Sequence, residues 1–129
     1  MHRWFLIAAA LLGAFSVALG AFAAHGLRQV ASADVVTTFE TGVRYQFYHV
    51  FALLAAAILY ERFPGRLMQW AGNCFQLGIL LFSGSLYLMT ALKVADTSGA
   101  EKIGVITPVG GLFFIVGWML MLIVFIRKA

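Results

Sequence analysis

Residues Trp4 to Ala24 read WFLIAAALLGAFSVALGAFAA. Ser16 carries the only hydroxyl in this run, and Gly13 and Gly20 are its only breaks. At a rise of 1.5 Å per residue, about 20 such residues cross the roughly 30 Å hydrocarbon layer of a bilayer. Arg3 and Trp4 put a cation and an indole at the start of the run, where both suit the lipid–water interface. The same stretch admits a second reading as a cleavable signal peptide, with His2-Arg3, an apolar run and Ala21-Phe22-Ala23 as an A-x-A site. The run is longer than the roughly 7–15 apolar residues usual for such signals, so a retained membrane helix is expected.

The whole chain of 129 residues supports that reading. It is 63% hydrophobic and 11% charged, against about 25% charged residues in ordinary soluble domains. A water-exposed globule of this composition would carry large apolar patches, whereas lipid accepts them. The formal charge of +4 comes from few residues, mostly at the ends of apolar runs, and reads as headgroup anchoring rather than nucleic-acid binding. Cys74 is the single cysteine, so no internal disulfide is available.

Outward from the first run, His25-Gly26 is expected to end the helix, with Gly26 as a left-handed cap. A polar loop follows, in which Ser32 or Asp34 is a candidate cap and Val35, Val36 and Phe39 share one apolar face. Helix is expected from about Asp34, running on into a second span near 43–60. Glu61 to Arg66 makes a charged Pro-Gly turn. A third span near 70–92 carries Asn73, Gln76, Ser83 and Ser85, and a polar loop leads to a fourth near 103–126. The expected fold is an all-α membrane protein over residues 1–129, with four transmembrane helices and a short helix in the first loop. Thr107-Pro108 and Gly110-Gly111 are expected to kink or unwind the start of the fourth helix. Gly13 and Gly20, Gly104 and Gly111, and Gly110 and Gly117 each stand one heptad apart. They point to close helix packing, within the bundle ahead of a dimer seam.

Four spans put both termini on one side. That side has Arg3, Arg62, Arg66, Arg127 and Lys128, and the other has Arg28, Arg44, Lys93 and Lys102. The excess and its placement at membrane ends orient both termini to the cytoplasm.

Four motifs occur in order: Gly20-Ala21-Phe22-Ala23-Ala24-His25-Gly26-Leu27, Phe39-Glu40-Thr41-Gly42-Val43-Arg44-Tyr45-Gln46-Phe47-Tyr48-His49, Leu81-Phe82-Ser83-Gly84-Ser85-Leu86-Tyr87 and Ile106-Thr107-Pro108-Val109-Gly110-Gly111. Together they resemble the DUF423 family of small bacterial membrane proteins, which is similar to the eukaryotic transmembrane protein 256 group. The resemblance covers nearly the whole chain. It implies a four-helix protein of the bacterial cytoplasmic membrane and supplies no activity.

Polar residues gather at one membrane face: His25, Glu40, Arg44, Tyr45, Tyr48, His49, Ser83, Ser85, Tyr87 and Thr107. Tyr45 and His49 share a helix face at i and i+4. His49 admits two readings. It is a proton-handling or ligand-contacting group, or it is a neutral ring bonded to Asn73 or Ser83 on the third helix. Arg44 snorkels to headgroups, pairs with Glu40 one turn earlier, or holds an anionic lipid or quinone head with Tyr45 and His25. Two isolated histidines, His25 and His49, are a weak haem signal, and no spacing links Glu40 to them as a metal set. Ser83-Gly84-Ser85 is placed to pack against the break in the fourth helix, and Asn73 and Gln76 read as glue between helices.

No cofactor, metal or nucleic-acid partner is expected, and no nucleophile–base pair, paired carboxylates or P-loop is present. The leading functional expectation is a non-enzymatic membrane protein whose polar cluster binds a lipid-like ligand or a membrane partner, with a homo-oligomer as one form of the latter. The alternative is a small transporter or channel gated by the same cluster.

Overall fold

A computed structural model describes residues 1–128. Four helices are long and apolar enough to cross a membrane, and no strand occurs among the described residues. Helix α1 spans Arg3–Ala24, and a short 3-10 turn, Leu27–Gln29, occupies the first loop. Helix α2 runs Ala33–Leu59. The third crossing is α3 (Arg66–Gly78), a π-helical turn (Ile79–Ser83) and α4 (Gly84–Val94). A single turn, α5 (Ala100–Ile103), precedes α6 (Ile106–Lys128).

The helix ends follow from local chemistry, with three departures from expectation. Gly26 does not take left-handed dihedrals: its φ is −69°, and the chain winds directly into the 3-10 turn. Ser32 stands at the N-terminal cap of α2, but its hydroxyl donates to the Asp34 carboxylate at 2.5 Å instead of accepting from the backbone. The third departure is at Pro108. Helix α6 is not unwound there, because Pro108 is its third residue, within the first turn, where backbone N–H groups have no helical acceptor anyway. The break falls earlier, between Ile103 and Ile106.

Helix α2 is the axis of the bundle. It packs against α1 on one side and against α3, the π turn and α4 on the other, and α6 lies along α3. Lipid gives apolar surfaces no reason to associate, so close approach and hydrogen bonds must hold the helices. Close approach is provided by glycines. The ring of Phe114 on α6 seats on Gly78, and Phe75 on α3 seats on Gly117, so the two helices exchange knobs. Gly110 lies so near the backbone of Phe82 in the π turn that no side chain fits between them. Phe5 of α1 seats on Gly72 in the same way.

The main core contains Phe5, Leu53, Met68, Phe75, Phe114 and Met121. A smaller one, of Ala23, Leu27, Val36, Phe39 and Val43, closes the far end of α1 against α2. Both described ends of the chain lie on the face of the α2–α3 turn. The N-terminal ammonium is 3.7 Å from Glu61, and the Lys128 ammonium donates to the Pro64 carbonyl at 3.1 Å.

Candidate functional site

Most of the polar groups in the spans are consumed by other helices. His49 is buried on α2 beneath α6, its ring stacked on Phe114 with centroids 3.5 Å apart. The Trp118 indole donates to Nε2 of His49 at 3.2 Å, and Nδ1 lies 2.7 Å from the Tyr45 carbonyl. Indole only donates, so Nε2 is the bare nitrogen and the single ring proton sits on Nδ1. Both nitrogens are thereby occupied. Of the two readings for His49, the structural one describes this geometry, but with Trp118 and Tyr45 as partners rather than Asn73 or Ser83.

Gln46, also buried, forms a second link. The Tyr87 hydroxyl donates to Oε1 of Gln46 at 2.7 Å, and Nε2 of Gln46 donates to the Leu12 carbonyl at 2.9 Å. That carbonyl also accepts from Ser16 at 2.8 Å. One chain of bonds therefore crosses from α4 through α2 to α1. Ser83 donates to the Gly42 carbonyl at 2.6 Å, tying the π turn to α2. Ser85 and Thr107 are 2.6 Å apart, and Ser85 also lies 2.8 Å from the Phe82 carbonyl. A hydroxyl has one proton to give, so Thr107 donates to Ser85 and Ser85 donates to Phe82. The expected packing of Ser83-Gly84-Ser85 against the start of α6 is realised through this pair.

Other expected neighbours stay apart. Glu40 lies 3.6 Å from Arg28, so the Glu40–Arg44 pair does not form. His25 is exposed at the end of α1 and turns back to the Ala21 carbonyl at 3.0 Å. Among the described residues, His, Cys, Asp and Glu form no group of three. Asn73 is exposed and Gln76 half-buried, and neither joins the hydrogen bonds that link the helices. They do not glue this bundle together.

A family model described as a protein of unknown function, DUF423, matches residues 19–111. The chain belongs to the DUF423 family. It is 40% identical over 119 residues to a UPF0382 membrane protein of Haemophilus influenzae, covering 92% of this chain and 90% of that one. It is 39% identical over 125 residues to the UPF0382 inner membrane protein YgdD of Escherichia coli K12, covering 97% and 91%. A UPF0382 membrane protein of Staphylococcus saprophyticus is 39% identical over 119 residues, covering 92% and 93%. No solved structure matches the chain.

One stripe of α2 in the DUF423 chain carries polar groups that the bundle leaves unspent. Arg44, Tyr45 and Tyr48 are exposed, and Arg44 makes no ion pair among the described residues. The rings of Tyr45 and Tyr48 meet edge to face, 5.7 Å apart. Tyr45 is also a wall of an apolar groove of about 450 Å³ between α2 and α6, with Phe82, Leu112, Ile115 and Trp118 among its other walls. A larger cleft of about 600 Å³ opens between α1 and the α3–α4 crossing, with Gln46, Gln76 and Tyr87 among its lining residues. Sequence reasoning passed over two residues of this region, Gln46 and Trp118. Both carried a signal: each is a hydrogen-bonding side chain set well inside an apolar span.

Proposed function

We propose that this DUF423 protein is a non-catalytic component of the bacterial cytoplasmic membrane. It holds a lipid-like molecule with an anionic head against the α2 stripe and its apolar tail in the α2–α6 groove. The observation that carries the reading is Arg44. It is an exposed cation without a carboxylate partner among the described residues, beside two exposed tyrosines and the mouth of an apolar groove. Guanidinium binds phosphate and carboxylate oxygens in paired hydrogen bonds, and tyrosine hydroxyls add donors at headgroup depth. A transport path finds less support. The buried polar side chains Gln46, His49, Ser83 and Ser85 are all hydrogen-bonded, and the half of the bundle nearer the termini is filled by Phe5, Leu53, Met68 and Phe75. The excess of Lys and Arg on the terminal face supports a cytoplasmic position for both ends. Alkaline phosphatase fused after Lys128 should then stay inactive.

Native mass spectrometry from mild detergent tests the site. Wild type should retain an anionic lipid mass that Arg44→Ala loses, while Arg28→Ala, whose cation already has a carboxylate partner, keeps it. Equal retention by both variants would sink the assignment.

A further inference from the structure

The larger cleft is a slot that α1 leaves open beside the third crossing. Phe5 of α1 seats on Gly72 of α3, and beyond that knob the two helices part. The lining on α1 runs from Ala8 to Leu19, a length of about 16 Å at 1.5 Å per residue. Leu11, Phe15, Leu77 and Leu80 are exposed along it, so the slot opens sideways to lipid. Gly84, in its wall, keeps it clear. A Cβ built there meets nothing within 4 Å, whereas at Gly72, Gly78, Gly110 and Gly117 a ring or main chain stands in that place. Helix packing makes no use of Gly84, and the space its missing side chain leaves is the slot.

The chemistry of the walls selects an occupant. No charged side chain lines the slot, and its polar lining residues are Gln46, Gln76 and Tyr87. Gln76 makes no side-chain hydrogen bond among the described residues, and Gln46 spends one of its two amide hydrogens on Leu12. Helices α1 and α3 both start at the face of the α2–α3 turn. The register set by Phe5 on Gly72 therefore puts Gln76 beside Ala8, with Leu12 one turn on. The spare N–H donors gather at that end, and the wall beyond, at Phe15, Leu19 and Gly84, is apolar. Amide N–H groups call for a carbonyl oxygen. A charged head brought here would find no counter-charge, which is costly away from water. A fatty acid brings that charge, and a phospholipid brings charge and a second tail. A prenylated quinone has ring carbonyls, no charge and one tail.

We propose that the slot between α1 and the third crossing binds a prenylated quinone, its ring carbonyls accepting from Gln76 and Gln46 and its tail lying along α1 toward Leu19. The inference does not rest on the Arg44 stripe of α2, which is a separate site. Apolar walls with a few placed polar groups, around a volume of about 300–1,000 Å³, are the usual form of a small-molecule site.

Equilibrium dialysis of the full chain in mild detergent tests it, with radiolabelled decylbenzoquinone as the probe. Wild type should bind the probe saturably, at one per chain. Gly84→Leu fills the slot and should abolish saturable binding, while its melting temperature holds because the added side chain enters open space. Gln76→Leu should weaken binding by about five- to tenfold, as expected for a lost hydrogen bond. Asn73→Leu, an exposed amide of the same helix outside the slot, should bind as wild type does, and so should Arg44→Ala. No saturable binding by wild type, or wild-type affinity in Gly84→Leu or Gln76→Leu, would overturn the proposal. Should Gly84→Leu lose its fold, Gln76→Leu alone decides. Loss of binding in Arg44→Ala with retention in Gln76→Leu would place the quinone on α2 and overturn it equally. Displacement of the probe by equimolar 1-palmitoylglycerol would assign the slot to an acyl ester and overturn the quinone.

Discussion

Helix α1 and helix α6 are both apolar along their length, yet they are attached to the bundle by different means. Helix α6 meets α3 and the π turn through interlocked rings and glycines: Phe114 on Gly78, Phe75 on Gly117, and Gly110 against the backbone of Phe82. Helix α1 has one such knob near its start, Phe5 on Gly72, but along α2 it packs with ordinary contacts, Gly13 and Gly20 each 3.6 Å from a valine methyl if given a Cβ. Its polar tether at mid-span is the Gln46 amide on the Leu12 carbonyl. In water both helices would be driven inward by their apolarity. In lipid that drive is absent, and the quality of each joint has to be judged by close approach and hydrogen bonds alone.

The two joints should therefore break differently. The largest effect is expected for Gly110→Ala. Its methyl would meet main chain, which cannot turn aside as a side chain does, so a loss of about 3 kcal/mol or more is expected. Thermal unfolding in detergent reads this, and a loss below about 1 kcal/mol would mean the α6 joint is slacker than drawn. Gln46→Leu comes next, at about 1–2 kcal/mol, from two hydrogen bonds within the membrane. Here the position of the effect matters more than its size. Amide exchange should rise along α1 and stay unchanged along α6, and a uniform rise would erase the distinction between the joints. Tyr87→Phe is the smallest, at about 0.5–1 kcal/mol, because it removes one bond and leaves Gln46 attached to Leu12. In the Gln46→Leu background it should cost almost nothing further, as expected of groups that act through a shared partner.

The same contrast explains what could be read in the chain beforehand. Spans show in sequence because hydrocarbon demands about 20 apolar residues at a time, and Trp4 to Ala24 meets that demand without help from any other segment. The start of α2 at Ala33 was legible for a similar reason, since Val35, Val36 and Phe39 fall on one face. The Ser85–Thr107 contact could be anticipated from two polar motifs near adjoining ends of helices. The partners of His49 and Gln46 could not. One is an indole 69 residues away, and the other is a backbone carbonyl, a group that every residue carries and no sequence marks. Arg44 and Glu40 had the right spacing to pair, but the 3-10 turn delivers Arg28 to Glu40 first. Asn73 and Gln76 were recognisable as polar residues in a span, while the direction they face depends on where α2 and α6 settle against α3.

The π turn at Ile79–Ser83 fits one residue more into its winding than an α-helix would. The wide turn absorbs that residue; wound as a regular α-helix, which advances about 100° per residue, the same sequence would carry everything beyond this point about 100° round the axis. Without the bulge Tyr87 would leave Gln46 and Ser85 would leave Thr107, although no letter of the sequence had changed. Along this segment the pitch of the winding is as binding as the identity of the residues, because the bulge keeps the two ends of the crossing in phase with their separate partners.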